Sequence, residues 1–343
     1  MTIDPIEPLI DRFGPALDIE LRALVPSVAE HPLYTLLAYH LGWVDTDGRA
    51  ARLAPGKRIR PLLLLVSCEA AGGDPDAAMP AAAAVELLHN FSLIHDDIQD
   101  RSEERRHRPT VWKVWGIAQA INAGDGMHAI AARGVLHCAE RGAKAESVLA
   151  AAASLHECCL RLVEGQYSDL AFESRDAVSV EEYLRMIDGK TAALIAACVE
   201  IGALLAGRRD ASLWRAYGRD LGRAFQIADD VLGVWGDNGR TGKPRADDVF
   251  KGKRSMPFLL GLEISVGMNR TRLAEIYRLP ERSDADVAEA VWLLDRAGVR
   301  ERANAVATAR LADSERTLDS LRMAGPHAAT LRAIGQFIVS RDH

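Results

Sequence analysis

Residues 77–100 read AAMPAAAAVELLHNFSLIHDDIQD, an alanine-rich apolar run that ends in three aspartates. Its length, and its apolar character on nearly all faces, predict a central helix surrounded by other helices. On that helix Asp96 and Asp100 lie about 40° apart around the axis and one turn apart along it. Two carboxylates on one face repel each other unless a cation lies between them, and their oxygens suit Mg²⁺, which keeps waters and bridges to phosphates. The alternative is a solvated acidic helix end.

A second acidic cluster, Asp229-Asp230-Val231-Leu232-Gly233, lies in another apolar stretch with helical periodicity. Gln226 and Asp230 are one turn apart, and Gly233 falls on the same stripe, about 20° from Gln226. A third carboxylate could stand at position 233 but does not. Two such clusters, each close to a segment dense in Lys and Arg, favour metal binding over a solvated helix end. They also suggest a pseudo-symmetric pair of helices that face one another.

Helical patterning dominates the rest of the chain, and alternating runs of β-formers are nearly absent. The sequence therefore predicts an all-α protein. Its 343 residues would allow two domains, but no Pro/Ser-rich linker or composition break divides it, so we expect a single domain over 1–343. The predicted helices are 3–24, 32–42, 57–71, 77–100, 113–123, 127–141, 145–172, 180–206, 211–235, 254–266, 283–297 and 299–323.

Composition excludes several classes of protein. The net charge of −6 argues against general nucleic-acid binding. The five cysteines form no C-x-x-C pair, which indicates reduced thiols in a cytoplasmic protein. The first 24 residues are acidic and interrupted by prolines, unlike a signal peptide. No run reaches the roughly 18 apolar residues that span a bilayer, so no membrane span is expected.

A basic segment, Gly56-Lys57-Arg58-Ile59-Arg60-Pro61, opens a long apolar helix. Cations at the start of a helix favour a diphosphate site, although a solvated basic turn is the simpler alternative. His89 precedes Asp96 by seven residues, so the two side chains lie about 20° apart on one helix face. His95 lies off that face and is assigned a structural role.

Arginines follow the first acidic cluster in the segment Glu103-Glu104-Arg105-Arg106-His107-Arg108. Arginine binds phosphate oxygens in bidentate fashion, and salt bridges to nearby carboxylates compete equally with that interpretation.

Glycine-containing segments elsewhere do not match known nucleotide motifs. Gly189-Lys190-Thr191 and Thr241-Gly242-Lys243 lack the spacing of a P-loop, and Gly124-x-Gly126 lacks the strand that precedes a dinucleotide fingerprint. The stretch 236–253 is long, charged and glycine-rich. We expect an irregular loop there, either a lid over a phosphate site or a mobile surface loop.

Taken in order and at their spacing, these motifs resemble the trans-isoprenyl diphosphate synthases of the polyprenyl synthetase family. The resemblance covers roughly residues 30–260. The matching residues are Gly56-Lys57-Arg58-x-Arg60-Pro61, His89, Asp96-Asp97-x-x-Asp100, Arg105-Arg106, Gly189-Lys190-Thr191, Phe225-Gln226-x-x-Asp229-Asp230, Gly242-Lys243 and Lys253.

The resemblance implies an all-helical bundle around a deep central cavity, of the type I isoprenoid synthase kind, usually a homodimer. It implies Mg²⁺-dependent 1′-4 condensation of isopentenyl diphosphate with allylic diphosphates to a short all-trans product. By resemblance, three Mg²⁺ ions are held by Asp96, Asp100 and Asp229, with Asp97 and Asp230 nearby. Isopentenyl diphosphate would be bound by Lys57, Arg60, His89 and Arg106. The allylic diphosphate would be bound by Arg105, Lys190, Lys243 and Lys253, and Thr191 and Gln226 would lie beside the developing cation.

The family uses the positions of Phe91 and Ser92 as a ruler of product length. Helix geometry places Ser92 on the Asp96 face and Phe91 about 140° away, so spacing alone does not identify Phe91 as a floor. An aromatic residue at 91 and a small one at 92 resemble enzymes that make geranylgeranyl or farnesyl diphosphate.

Three positions depart from the family pattern. Gly233 stands where the family usually has aspartate, His107 where it has glycine, and Met256 where leucine or tryptophan is more common. Two alternatives remain at this point. A class I terpene cyclase would not need Lys57, Arg60 and Arg106, and a regulatory subunit of a heteromeric synthase would typically lose the first aspartate motif, which is intact.

Overall fold

The computed structural model describes residues 5–51, 53, 56–175, 177–236, 246–323 and 325–339. These residues form helices almost throughout, which confirms the all-α prediction. The helices are α1 (Glu7–Leu24), α2 (Pro32–His40), α3 (Ile59–Ala70), α4 (Pro75–Gln99), α5 (Val111–Trp115), α6 (Ile117–Leu136), α7 (Ala145–Glu173), α8 (Val180–Ile187), α9 (Ala193–Leu205), α10 (Ser212–Trp235), α11 (Asp247–Lys251), α12 (Met256–Ile264), α13 (Gly267–Arg278), α14 (Asp284–Arg296), α15 (Val299–Ser320) and α16 (His327–Val339). A 3₁₀ turn spans His137–Ala139 and a π-helical turn spans Asp188–Ala192.

Contacts between Cα atoms divide the chain into two compact units, each assembled from three segments. Unit 1 comprises Met1–Cys159, Ala197–Arg215 and Arg322–Ile334. Unit 2 comprises Leu160–Ala196, Ala216–Leu321 and Gly335–His343. A single domain over 1–343 stays a prediction.

Unit 1 is built around α4, as the run 77–100 predicts. The Asp74 side chain caps the helix by accepting from the Asp76 N–H at 3.0 Å, and Pro75 occupies the first turn, where its missing N–H costs nothing. Its alanines at 81–84 and Leu87 and Leu88 are fully buried. By length and composition α4 could cross a membrane, but 83% of its most apolar stretch is buried in the protein. It is therefore a core helix.

The two helices predicted over 113–123 and 127–141 are wrong: α6 is one helix that passes through Gly124 and Gly126 without a break. These glycines serve close packing instead. A β-carbon on Gly124 would lie 2.2 Å from Nε2 of His95, and one on Gly126 would lie 3.2 Å from Leu33. The missing side chains let α6 approach α4 and α2 closely.

A two-residue antiparallel hairpin follows α4 in unit 1. Its strands, β1 (Glu104–Arg105) and β2 (Arg108–Pro109), pair Glu104 with Pro109 and Arg105 with Arg108. The turn residues Arg106 and His107 both have positive φ, 52° and 60°. Two left-handed residues between paired strands are typical of a type I′ turn, which favours glycine. This backbone explains why glycine is the usual residue at position 107.

In unit 2, residues 216–235 of α10 pack against the π-helical turn. Gly218 and Gly222 are one turn apart, and a β-carbon on Gly222 would lie 2.5 Å from the Cα of Ala192. This contact holds α10 directly against the π-helical turn. The π-helical turn interrupts the helix that was predicted over 180–206. The turn lies very close to α7, since a β-carbon on Gly165 would be 2.1 Å from the backbone nitrogen of Lys190. Wider π turns of this kind occur often at functional sites.

Three helices were not predicted from sequence: α11, α13 and α16. In α13 only Leu273, Ile276 and Tyr277 are buried, so its apolar face is too narrow to produce a periodic signal. The helix α11 occupies 247–251 and shows that the loop predicted over 236–253 is wrong in that part. Residues 237–245 lie outside the described residues.

Candidate active site

The first acidic cluster lies at the C-terminal end of α4, in unit 1. The backbone N–H of Asp100 donates to the carbonyl of Asp96 at 2.8 Å, so helical geometry continues to Asp100 and places both side chains on one face. Both side chains are half-buried. The helix C-terminus carries partial negative charge, which adds to the repulsion between the two carboxylates. A divalent cation at this end of α4 would relieve both effects.

Asp97, between them, has a different environment. It is 2% exposed, and the Arg105 guanidinium donates to it through Nε at 3.0 Å to both oxygens and through Nη2 at 2.8 Å to Oδ1. The sequence left phosphate binding and a salt bridge as alternatives for these arginines, and in the structure Arg105 forms a salt bridge. Asp97 fixes the orientation of Arg105, whose side chain remains 33% exposed.

A second anchor holds the hairpin against α2. Arg108 donates to the carbonyls of Tyr39 at 3.2 Å and Val44 at 3.0 Å, and its guanidinium lies 3.9 Å from the centre of the Tyr39 ring. The Tyr39 hydroxyl donates back to the Pro109 carbonyl at 2.8 Å. These contacts position Arg105 and Arg106 in the turn between the strands. Sequence reasoning missed the contact between Arg108 and Tyr39, because 69 residues separate them.

The predicted isopentenyl diphosphate residues come together in unit 1. Arg60, in the first turn of α3, donates through Nη1 to His89 Nε2 of α4 across 3.2 Å. Arg106 of the hairpin lies next to the basic segment, since a β-carbon on Gly56 would be 3.4 Å from its Nη2. Lys57 is exposed in that segment, whereas Arg58 forms an ion pair with Asp18 of α1 at 2.6 Å. We call Lys57, Arg60, His89 and Arg106 the cationic cluster.

His89 contributes hydrogen bonds rather than charge to this cluster. Burial, reinforced by the positive charges of Arg60, Arg105 and Arg106, lowers the pKa of His89 well below its ordinary value. Burial also lowers the pKa of the Arg106 guanidinium, and the Glu86 carboxylate opposes that shift. Because its pKa is lowered, the His89 imidazole is neutral near pH 7.

His40, at the end of α2, is a neighbour of this cluster that was not selected from the sequence. Burial first, then the charges of Arg105 and Arg106, lower the pKa of His40 to about 3, against a side-chain hydrogen bond with Asn90 that raises it. His40 lines a pocket together with Asp97, Arg105, Arg106 and Arg108. Nothing in the local sequence distinguishes it from any histidine that ends an apolar helix.

The second acidic cluster lies on α10 in unit 2, where Asp229 and Asp230 point to different surroundings. Asp229 is half-buried, but Asp230 is 5% exposed. Its Oδ2 accepts from the Tyr183 hydroxyl at 2.5 Å and from the Met256 N–H at 2.9 Å, and its Oδ1 accepts from Gln226 Nε2 at 2.8 Å. The residue at 256 thus contributes its backbone to the cluster.

Asp230 also anchors the residues predicted to lie beside the carbocation. The Thr191 hydroxyl in the π-helical turn donates to Gln226 Oε1 at 2.6 Å, and Gln226 in turn donates to Asp230. Burial and the nearby Asp248 carboxylate raise the pKa of Asp230 to about 7. With three donors on its oxygens, Asp230 holds its neighbours in place.

The predicted lysines of unit 2 are placed as follows. Lys190, in the π-helical turn, forms an ion pair with Asp169 of α7. Lys253 is half-buried, and its N–H donates to the Asp248 carbonyl at 2.9 Å, beyond the left-handed Gly252 that ends α11. Lys243 lies outside the described residues.

Both residues of the predicted length ruler are buried in unit 1. Phe91 is 7% exposed, and its ring centre lies 5.2 Å from those of His95 and His128. Ser92 donates its hydroxyl to the His89 carbonyl at 2.8 Å. His95 lies 3.7 Å from Asp125, and so it packs between Phe91 and α6. The sequence did not reveal His128 as a neighbour of Phe91.

The donor set fits Mg²⁺ bound largely through its substrate. Among the residues that the structure describes, no group of three or more His, Cys, Asp and Glu side chains could hold a metal ion alone. Magnesium usually takes only one or two protein carboxylates and completes its shell with waters and phosphates. The pair Asp96 and Asp100, and separately Asp229, match that requirement.

Comparison with known proteins identifies the family. The family model "Polyprenyl synthetase" matches residues 46–294. A (2E,6E)-farnesyl diphosphate synthase of Mycobacterium tuberculosis H37Rv is 40% identical over 331 residues, covering 94% of this chain and 89% of that one. A geranylgeranyl diphosphate synthase of the same organism is 41% identical over 281 residues, covering 81% and 79%. The crystal structure of a polyprenyl synthetase from Streptomyces coelicolor A3(2) aligns with a TM-score of 0.88 at 36% identity, covering 99% and 100%. The chain belongs to the polyprenyl synthetase family.

Proposed function

We propose that this chain is a short-chain trans-prenyltransferase that condenses isopentenyl diphosphate with an allylic diphosphate, 1′ to 4, in the presence of Mg²⁺. The observation that carries the proposal is the pairing, within unit 1, of an aspartate face with a separate cationic cluster. One diphosphate would be bound through metal at Asp96 and Asp100, and a second directly by Lys57, Arg60 and Arg106. An enzyme with a single diphosphate substrate has no need of both.

The reaction begins with ionisation of the allylic C–O bond, which leaves an allylic carbocation and a diphosphate. Bound Mg²⁺ would supply positive charge to the leaving group as its negative charge develops. We propose that Asp96, Asp100 and Asp229 hold three such ions, as in the family, and that Arg105, Lys190, Lys243 and Lys253 supply fixed positive charge. Asp97 keeps the Arg105 fork in one orientation, which removes reorganisation from the step.

Carbon–carbon bond formation follows when the isopentenyl double bond attacks the cation, and a proton then leaves C2 of the isopentenyl unit. We propose that the departed diphosphate takes this proton, so no dedicated protein base is needed. The Thr191 hydroxyl oxygen and the Gln226 amide would lie beside the cation. Their hydrogen bonds to each other and to Asp230 fix these dipoles before reaction.

Product length is proposed to be C15 or C20. Relatives at similar identity include both a farnesyl and a geranylgeranyl diphosphate synthase, so overall similarity does not choose between them. Phe91 is bulky and packs against His95 and His128. An aromatic residue at this position of the family's length ruler supports a short product.

We also propose that two copies of the chain associate in the cytoplasm. Ile117 and Ile121 of α6 are 54% and 43% exposed, and Leu160, Val163 and Tyr167 of α7 are 55%, 51% and 75% exposed. Within each set the residues lie three or four positions apart, on one face of their helix, and exposed apolar faces commonly mark interaction sites. Light scattering coupled to size-exclusion chromatography tests this directly: a dimer mass supports it and a monomer mass contradicts it.

Incubation of the purified chain with isopentenyl diphosphate and each allylic primer in turn tests the proposed activity. Chromatography of the dephosphorylated products should show farnesol or geranylgeraniol, dependent on Mg²⁺. Geranylgeranyl diphosphate alone should yield no hydrocarbon, whereas a terpene cyclase would produce one. An inactive chain that gains activity only with a second synthase subunit would instead identify a regulatory subunit.

A further inference from the structure

Arg58 has a left-handed backbone at the start of α3, inside the basic segment that carries two residues of the cationic cluster. Its φ is 47° and its ψ is 41°, and its side chain does not cap the helix. Helix starts more often carry Ser, Thr, Asp or Asn with an extended backbone and a capping side chain. A left-handed L-residue costs free energy and persists only where neighbouring groups hold it. The conformation of Arg58 therefore depends on its tertiary contacts.

The residues on the two sides of Arg58 approach the same cluster. Before it, Gly56 lies against Arg106, since a β-carbon there would be 3.4 Å from Nη2. After it, Arg60 donates to His89 across 3.2 Å. The left-handed residue thus forms the bend that brings Gly56 and Arg60 to one cluster.

The Arg58 side chain is held by a carboxylate from α1. Its Nη2 lies 2.6 Å from Oδ1 of Asp18, and the Arg58 side chain is only 12% exposed. Burial is the main cause that lowers the pKa of the Arg106 guanidinium, and the positive charge of Arg58 adds to it. The Arg58 guanidinium therefore lies near the cluster, and its charge is balanced by a different helix of unit 1.

We propose, on the basis of the proposed function, that Asp18 is a positioning residue for isopentenyl diphosphate. Its ion pair keeps Arg58 left-handed, and the resulting bend aligns Lys57 and Arg60 on one diphosphate. The pair gives α1, which carries none of the motif residues, a role in substrate binding. Because Asp18 is an anion close to a cluster that binds an anion, its charge alone would weaken diphosphate binding. Removal of that charge therefore separates a positioning role from a purely electrostatic one by the sign of its effect.

Titration calorimetry with isopentenyl diphosphate, without Mg²⁺ or an allylic primer, measures this role apart from catalysis. Asp18→Asn should weaken binding at least 5-fold. It should raise the KM for isopentenyl diphosphate by a similar factor, while kcat stays within 2-fold of wild type. Unchanged or tighter binding in folded Asp18→Asn overturns the proposal.

The matched control is Glu69→Gln, which breaks another ion pair between the same two helices. Glu69 stands at the far end of α3 from Arg58 and accepts from Nη1 of Arg12 in α1 at 3.0 Å. Its loss loosens the attachment of α1 without touching the basic segment, so binding should stay within 2-fold of wild type. Equal weakening by Glu69→Gln and Asp18→Asn overturns the proposal, because it would indicate general loosening.

Substitutions at position 58 give a second test, which does not depend on the stability of Asp18→Asn. Arg58→Ala and Arg58→Asn both remove the ion pair, but Asn adopts a left-handed backbone more readily than Ala. Arg58→Ala should weaken binding at least 5-fold, and Arg58→Asn less than 3-fold. Adding Asp18→Asn to Arg58→Asn should change binding by less than 2-fold. Equal binding by the Ala and Asn variants, or a further 5-fold loss in the double variant, overturns the proposal.

The wild-type chain separates failure of this role from failure of the proposed function. If it makes product while Asp18→Asn binds isopentenyl diphosphate as Glu69→Gln does, only the role of Asp18 is overturned. If it neither binds isopentenyl diphosphate nor makes product, the proposed function is overturned as well.

Discussion

Arg105 and Asp97 form a three-bonded ion pair in which the carboxylate is buried and the guanidinium reaches the edge of the proposed site. The pair separates the roles of three aspartates that look alike in the sequence. Asp96 and Asp100 face one way from the end of α4, and Asp97 is committed to an arginine on the neighbouring hairpin.

Asp97→Ala should therefore destabilise the protein more than any change at Asp96. It leaves a partly buried guanidinium without its carboxylate, which we expect to lower the free energy of unfolding by about 2–3 kcal/mol after allowance for the exposure of Arg105. Urea denaturation followed by circular dichroism measures this. Glu103→Ala is the control, because Glu103 pairs with Lys113 at the surface, and its loss should cost less than about 1 kcal/mol. Equal effects at 97 and 103 would contradict the assignment.

Replacing His107 with glycine should stabilise the hairpin. The φ of 60° at His107 costs an L-residue about 1–2 kcal/mol, and the greater freedom of glycine in the unfolded chain offsets part of that gain. We expect a rise in unfolding free energy of about 0.5–1 kcal/mol by urea titration. His137→Gly makes the same change at a φ of −66° and should lower it. A loss of stability in His107→Gly would contradict this, because it would mean that the His107 side chain stabilises the folded protein by more than the backbone strain costs.

Acid should destabilise the protein partly through His40. The unfolded chain binds a proton at this residue near pH 6.5, whereas the folded pKa is about 3. Below pH 6.5 the unfolded state therefore holds more protons, and the stability that the neutral side chain supports is lost as the pH falls. His40→Gln, which cannot take up a proton, should show a slope of unfolding free energy between pH 6 and 4 that is shallower by up to about 1.4 kcal/mol per pH unit. Parallel curves for wild type and variant would contradict the low folded pKa.

Phe91→Ala should shift the product distribution toward longer chains. The ring packs with His95 and His128 and fills space near the acidic end of α4, so its removal opens volume for further isoprene units. Chromatography of products at fixed substrate ratio measures the change. Val85→Ala, six residues earlier on α4 and fully buried, controls for general loosening of the helix and should leave product length unchanged. An unaltered distribution in Phe91→Ala would remove this residue from the ruler.

The sequence predicted most of what depends on periodicity and little of what depends on close backbone approach. Helix α4 was predictable because its apolar run is long and its capping residues are local. The π-helical turn at 188–192 was not, because it depends on Gly165 of α7 meeting the Lys190 backbone. Glycines such as Gly124 and Gly126 are typical of a helix end. Only the structure shows that both lie inside α6, where they pack closely against His95 and Leu33.

The candidate site divides in the same way. Motif spacing selected Asp96, Asp100, Arg60 and His89, and the structure gives the contact that joins Arg60 to His89. His40 and Asp248 were missed because their proximity to the motif residues comes from other elements of the fold. The salt bridge of Arg105 could be recognised only from the structure, which places the buried Asp97 carboxylate against its guanidinium.

The part that the Asp96 carboxylate plays in metal binding can be measured as the turnover of Asp96→Ala with saturating isopentenyl diphosphate, an allylic primer and Mg²⁺. If the carboxylates at the end of α4 bind the metal that stabilises the departing diphosphate, kcat should fall by well over ~100-fold, since several kcal/mol of charge stabilisation are lost, while the unfolding free energy stays near that of wild type. Near-normal turnover in a folded Asp96→Ala protein would contradict the account.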